Sequence, residues 1–305
     1  MADITVIGGI NIDIEGRPYE ALRRGDSNPG KISLSYGGVG RNITENVVRM
    51  GGNVAMISVI GGDHMGLGAK EHLKALGVDV SRIDVKTDAT SAIYLSILNN
   101  KSDMEVAISD MDVVKFIVPE FLEKNADFIL SSEAVALDGN LERETIEYIA
   151  GRFSQTPLFF DPVSAAKAVR AKDVIGAFTC IKPNIMEAEV LLGMRIENEY
   201  DLKVAGQRFI DKGVEKVFIT LNKDGVYYKD RDEEGFIKPA NVNIKSATGA
   251  GDSFSAAILM GMINRKSVRE IAKYGMAAAQ ITMESSHAVS EYINNDEIGR
   301  RIKNV

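Results

Sequence analysis

Short apolar runs broken by polar or glycine-rich turns organise this chain, and in its second half the runs alternate with stretches of helical spacing. Ile4-Thr5-Val6-Ile7 reads as a buried strand ending in Gly8-Gly9. Beyond it Ile10, Ile12 and Ile14 alternate with Asn11 and Asp13, and a period of two puts both polar residues on one face of a continuing strand. After the turn signal Asp26-Ser27-Asn28-Pro29-Gly30, Ile32 and Leu34 alternate with Lys31, Ser33 and Ser35, a strand with one wet face. Ile43, Val47 and Met50 mark a helix ended by Gly51-Gly52. A strand follows over Val54–Ile60, and a helix over about 65–76 is closed by Gly77. Thr90–Leu98 and Met104–Ile108 flank Asn99-Asn100-Lys101 and predict a hairpin. Strands are expected near 127–132, 157–161, 178–181 and 216–221, with helices near 141–152, 186–193 and 201–212. Asn241-Val242-Asn243-Ile244 predicts a short strand, and the spacing of Phe254, Ile258, Leu259 and Met262 predicts a helix starting near Gly251.

This alternation argues for an α/β fold in three layers, a mostly parallel central sheet flanked by helices. The stretches 10–36 and 90–110 fall outside it and predict a small β-sheet covering a site, a lid on one domain spanning 1–305. In such sheets ligands bind off the carboxyl ends of the strands. The polar residues expected there are Glu133, Asp161, Asn184, Glu187 and Thr220, with the turn bearing Asp252 placed to join them.

Composition narrows the function classes. Hydrophobic residues make up 45% and charged ones 26%, ordinary for a globular chain of 305 residues. With 36 Lys+Arg against 43 Asp+Glu and no long basic run, a nucleic-acid surface is not expected. Cys180 is the one cysteine and lies in an apolar run, which suits buried filler in a reducing compartment. There is neither a signal-peptide pattern nor an apolar stretch of spanning length, so a cytoplasmic enzyme is expected. His64, His72 and His287 are scattered, without metal-ligand spacing.

The densest chemistry lies in Ala247-Thr248-Gly249-Ala250-Gly251-Asp252-Ser253-Phe254. Glycines let the backbone approach a ligand, and the first amides of the helix are unpaired at the positive end of its dipole, which makes an anion hole. A carboxylate beside such a hole repels a bound phosphate. Asp252 makes sense there if it takes a proton from a hydroxyl attacking that phosphate, although acids are common in first helical turns anyway. Asn11 and Asp13 suit a polyol, or form a polar edge with an Asx turn. Gly37-Gly38-Val39-Gly40-Arg41-Asn42 lacks the third glycine of a dinucleotide loop and suits close packing of backbone and the Asn42 amide against sugar hydroxyls. Asn184 and Glu187 have capping-box spacing, and they also fit Mg²⁺ held through water. Thr220-Leu221-Asn222-Lys223-Asp224-Gly225 reads equally as a phosphate-contacting turn or as a hairpin turn before Val226-Tyr227-Tyr228.

The glycine motif at 37–42 with its helix, the Asn184…Glu187 pair and Thr248-Gly249-Ala250-Gly251-Asp252, in that order, resemble the ribokinase-like (PfkB-type) family of sugar and nucleoside kinases along essentially the whole chain. The resemblance implies ATP and Mg²⁺ and a small-molecule acceptor. In it Asp252 is the general base, and the amides of Gly249, Ala250 and Gly251 hold the transferring phosphoryl group. Asp13, Gly38 and Asn42 bind ribose hydroxyls with Asn11 nearby, Asn184 and Glu187 organise Mg²⁺, and Thr220 and Gly225 line the ATP site. Ser27–Ile32, Gly38–Ile43, Asp161-Pro162-Val163-Ser164 and Glu291-Tyr292 with Asn294-Asn295 draw the chain towards members that phosphorylate a C-nucleoside at its 5′-hydroxyl. Val39, where ribokinases usually carry Lys, points away from plain ribokinase. Other members taking ribose, adenosine or fructose, and a silent nucleoside-binding regulator, are the rival readings. Lys167 is the candidate contact to the base carbonyls, with a surface lysine as the alternative. Ser246 stands where the family commonly has the Asp that helps hold K⁺, so weak dependence on K⁺ is expected. A homodimer through the lid sheet is the assembly the family suggests.

Overall fold

The apolar runs assemble into two sheets in a computed structural model that describes residues 2–101, 103–240 and 242–304. In chain order the strands are β1 (Ile4–Ile7), β2 (Asn11–Pro18), β3 (Gly30–Gly37), β4 (Val54–Gly61), β5 (Ile83–Lys86), β6 (Ala92–Leu98), β7 (Met104–Asp110), β8 (Ala134–Asp138), β9 (Leu158–Asp161), β10 (Cys180–Ile181), β11 (Lys216–Thr220), β12 (Val226–Lys229) and β13 (Glu234–Ile237). A nine-stranded sheet runs β13-β12-β11-β10-β9-β8-β1-β4-β5. From β11 to β5 every pairing is parallel, and only the β11-β12-β13 edge is antiparallel.

Both faces of this sheet are covered, which is why its strands are apolar runs rather than alternating ones. One face carries Ile4, Val6, Met56, Ala136, Phe159, Cys180 and Phe218 against the helices Val39–Arg49, Ala250–Ile263 and Val268–Met283. The other carries Ile7, Ile57, Val135, Leu137, Phe160 and Val217 against Arg143–Arg152, Ile185–Leu192 and Glu199–Asp211. Cys180 is buried filler, its thiol pushed up by burial. No helix among the described residues is long and apolar enough to cross a membrane.

The order of strands sets the place of the site. β1 is the turning point, since the chain winds one way to β4 and β5 and the other way to β8 and beyond. A crevice opens at the carboxyl ends of strands at such a point. Here Gly8 follows β1 and Asp138 ends β8, so close that a Cβ on Gly8 would lie 2.7 Å from Asp138 Oδ2.

Four expectations are corrected. The strand expected near 127–132 is the helix Ala126–Leu130, in which Ala126 and Ile129 are buried three residues apart while Asp127 and Leu130 are exposed. The strand is β8, so Glu133 sits exposed at its amino end, away from the ligand-binding edge. Ile4 to Ile14 is not one strand: Gly8-Gly9-Ile10 breaks it, and β1 and β2 enter different sheets. Residues 242–244 form no strand, while Asn241 of that expected strand lies outside the described residues.

The second sheet is β3-β2-β6-β7. Its register puts Asp13 level with Ser35 and Tyr94, and Glu15 level with Ser33 and Ser96, on one polar face. On the opposite face Leu34, Ile14, Leu95 and Ile108 form one row and Ile32, Ile97 and Val106 the next. Ile32, Leu34, Val106 and Ile108 are exposed there, so the sheet presents an apolar outer surface.

Candidate active site

The helix Ala250–Ile263 starts abruptly. Gly249, its N-cap, has φ 81°, and no side chain caps it. A Cβ at Gly249 would lie 1.8 Å from the carbonyl oxygen of Ala288, so both the left-handed backbone and the space demand glycine. The Ala250 amide has a long 3.4 Å bond to the Ala247 carbonyl, and a helix start without a side-chain cap favours an anion there. Asp252 lies in this first turn, half-buried, and Asn42 Nδ2 donates to its Oδ2 at 2.8 Å. That bond joins the two glycine motifs across 210 residues.

Burial pushes the Asp252 carboxyl up to about 7, reinforced by the negative charges of Asp161 and Asp138 and opposed by the Asn42 hydrogen bond and by Lys182. Asp161, at the end of β9, accepts from Ser255 Oγ at 2.7 Å and pairs with Lys182 Nζ at 3.1 Å. Burial works to strip the proton from Lys182, but Asp161 and Glu187 outweigh it and the amine is held above its ordinary range. A buried cation thus stands beside the helix start, 3.5 Å from where a Cβ of Gly251 would be.

On the lid side Asn11 Nδ2 donates to Asp13 Oδ1 at 2.6 Å. Asp13 Oδ2 lies over Gly37, where a Cβ would come within 2.2 Å. Gly38 has φ 101° and is pressed against the Gly9 carbonyl and the Asn11 side chain. Burial raises the Asp13 carboxyl, against the lowering effect of Asn11 and Arg41. Asn11, Asp13, Gly38, Asn42 and Asp252 therefore form one continuous polar wall.

Three participants escaped the sequence reading. Asp138 is fully buried, and its Oδ1 accepts the Asn140 amide at 2.8 Å while its Oδ2 has no partner. Burial pushes it up to about 6. The signal was an acid closing an apolar run just before Gly139, as Asp161 closes its own, hidden by the misplaced strand. Lys182 and Arg41 are buried cations in motifs read for their glycines, asparagines and acids.

Lys167 is half-buried, and its Nζ donates to Asn140 Oδ1 at 2.5 Å. Burial lowers the Lys167 amine, with Asp138 opposing. Asn184 and Glu187 do form a capping box. Asn184 also donates through Nδ2 to Glu187 Oε1 at 2.8 Å, which leaves the carboxylate further lone pairs for water. An oxygen set of this kind suits Mg²⁺ that keeps its hydration. Thr220 bridges to Asn184, and Gly225, at φ 101°, closes the antiparallel turn into β12. The hairpin reading of that turn is what the backbone shows, and it sets Thr220 next to the Asn184 cap.

Residues 1–294 match the profile of the pfkB family carbohydrate kinases. The chain is 31% identical to the pseudouridine kinase of Escherichia coli over 97% of its own length and 93% of that protein's. It is 29% identical to the guanosine-inosine kinase of Exiguobacterium acetylicum, covering 94% of this chain and 96% of that one. A solved carbohydrate kinase from Agrobacterium tumefaciens superposes with a TM-score of 0.88 at 29% identity, covering 100% of this chain and 98% of that one.

Proposed function

Since the chain belongs to the pfkB family of carbohydrate kinases, phosphotransferases acting on sugar or nucleoside hydroxyls, we propose that it transfers the γ-phosphoryl group of ATP to the 5′-hydroxyl of pseudouridine, with Asp252 as general base. The observation that carries this reading is Asp252 itself, a carboxylate with its pKa pushed to about 7 at an uncapped helix start. A base is most effective when its pKa lies near the working pH. Phosphoryl transfer otherwise needs positioning and charge stabilisation rather than covalent help.

In this reading Asp13, Gly38 and Asn42, with Asn11 behind them, hold the ribose hydroxyls and aim the 5′-hydroxyl at Asp252. The proton passes to an Asp252 carboxylate oxygen as the hydroxyl oxygen attacks phosphorus. The amides of Gly249, Ala250 and Gly251, with the buried Lys182 amine close by, take up charge on the phosphoryl oxygens. Thr220 and Gly225 line the nucleotide side. Glu187, its carboxylate fixed by Asn184, would hold Mg²⁺ through water, and the ion would supply countercharge to the phosphates. Lys167 meets a carbonyl of the base. The lid sheet excludes water, which competes for the phosphoryl group. The enzyme works in a reducing cytoplasm, where Cys180 stays a thiol.

The similarity to the Escherichia coli pseudouridine kinase favours pseudouridine, and the comparable similarity to a guanosine-inosine kinase makes a purine nucleoside the second reading. Asp252→Asn is expected to lower kcat by about 10²–10⁴, the usual worth of a general base, with nucleoside binding by calorimetry roughly intact. The wild-type kcat/KM should fall as pH drops through about 7, where Asp252 gains its proton. An unchanged kcat in the variant removes Asp252 from the mechanism.

A further inference from the structure

Asn42 is aimed at Asp252 by another residue. A side-chain amide has one acceptor and one donor end, and which end meets the carboxylate decides whether the contact is a hydrogen bond or a repulsion. Arg41 Nη1 donates to Asn42 Oδ1 at 2.8 Å, which leaves Nδ2 to face Asp252 Oδ2. The same Nη1 donates at 2.8 Å to the backbone carbonyl of Tyr36, the penultimate residue of lid strand β3. Glu45 holds the other end of the guanidinium, and it is itself held by Arg49 Nε at 2.8 Å and lies 3.4 Å from His72 Nε2. Arg41 is only 5% exposed, so its fork is fixed in place.

We propose that Arg41 is a positioning residue: it locks the Asn42 amide in the orientation that donates to Asp252, and it ties that orientation to the end of the lid strand through the Tyr36 carbonyl. This rests on Asp252 acting as the base. One guanidinium thereby lies between the lid, which brings Asp13, and the carboxylate that takes the proton. Rigid support of this kind is what keeps a reacting group within the narrow geometry that catalysis needs.

The test is Arg41→Met, paired with Arg41→Met/Glu45→Met in case the single change leaves Glu45 too poorly matched to fold. Replacing a buried ion pair on both sides by apolar residues is often neutral for stability. Asp252 is faced by Asp161 on β9, Asp138 on β8, Lys182 after β10, and Arg41 and Asn42 on the Val39–Arg49 helix. Only the last two change in effect. Carbon-13 titration of the Asp252 carboxyl, assigned by the signal missing in Asp252→Asn, needs no substrate. In the folded variant its midpoint should rise by about one pH unit, tenfold in proton affinity, because a donor to the charged form is lost. With ATP and an active acceptor, kcat should fall about tenfold to a hundredfold and the acid limb of kcat/KM should move up with the carboxyl, while KM for ATP stays within about twofold. Arg41→Lys, which keeps the charge but not the fork, should recover part of the titration shift and less of kcat. An Asp252 midpoint and acid limb unchanged in the folded variant overturn the proposal. Full activity of Asp252→Asn would instead overturn the base assignment on which it rests.

Discussion

At the scale of single residues, the site is a set of charges whose neighbours decide what each is able to do. Asp252 and Asp161 are both carboxylates near Lys182, yet Asp161 holds the amine and a serine hydroxyl while Asp252 holds one amide hydrogen bond and is pushed up to about 7. The sequence made Asp252 legible because it follows two glycines at a helix start. The sequence placed Asp161 at the strand ends beside it, but could not show Asp138 and Lys182 closing in, since those lie at the ends of two other strands. Asn184 and Glu187 show how one pattern carries two readings: the capping box is present, and it leaves the carboxylate fit to hold water around a cation. At Ser246 the hydroxyl accepts from the Thr248 amide at 3.2 Å and closes a local turn, with no carboxylate to offer. Turnover measured with K⁺ replaced by a bulky organic cation at fixed ionic strength should therefore change by less than about threefold, because a neutral oxygen adds little charge to a cation site. Abolished turnover would show that backbone carbonyls hold the ion without that side chain.

At the scale of elements, glycine turns were the most readable feature and apolar runs the least. Gly51, Gly77 and Gly249 all have positive φ where turns or helix ends were expected, since few other residues take that backbone at low cost. The run Phe128-Ile129-Leu130 was misread because three apolar residues in a row suit a strand and a helix alike. What decided the helix was burial of Ala126 and Ile129 on one side with Asp127 and Leu130 exposed, a fact of packing. The start of the Ala250–Ile263 helix gives the element-level prediction. Gly249→Ala forces a side chain onto a left-handed backbone, at about 1–2 kcal/mol, and drives a Cβ into the Ala288 carbonyl. The turn has to move, so phosphoryl transfer should be nearly lost while the melting temperature drops only a few degrees. Activity within twofold of wild type would mean that the amides of this turn do not hold the phosphoryl group.

At the scale of the molecule, strand order and the lid explain why residues so far apart in sequence converge. β1 at the turning point brings Gly8 and Asp138 together, and β2 carries Asn11 and Asp13 into the small second sheet. That much of the architecture followed from period-two alternation in 10–36 and 90–110 against the βα rhythm beyond. The entry of β1 and β2 into different sheets did not, because the alternation of Ile10, Ile12 and Ile14 with Asn11 and Asp13 reads as the same strand continuing past Gly8-Gly9. The lid's outer face carries Ile32, Leu34, Val106 and Ile108 in register and exposed, a contiguous apolar patch of the kind that marks interfaces. We therefore expect a homodimer through this face, twice the 33.2 kDa of one chain in light scattering, which Ile108→Glu converts to monomer. A wild-type monomer at micromolar concentration would contradict that pairing.

The most direct test of the central claim is ATP/Mg²⁺ turnover with pseudouridine, uridine, guanosine, inosine, adenosine, ribose and fructose side by side. Pseudouridine and uridine differ only in how the base is attached, so a kcat/KM for pseudouridine at least about tenfold above uridine and every other acceptor is the predicted result. Equal or faster turnover of another acceptor would contradict pseudouridine as the substrate.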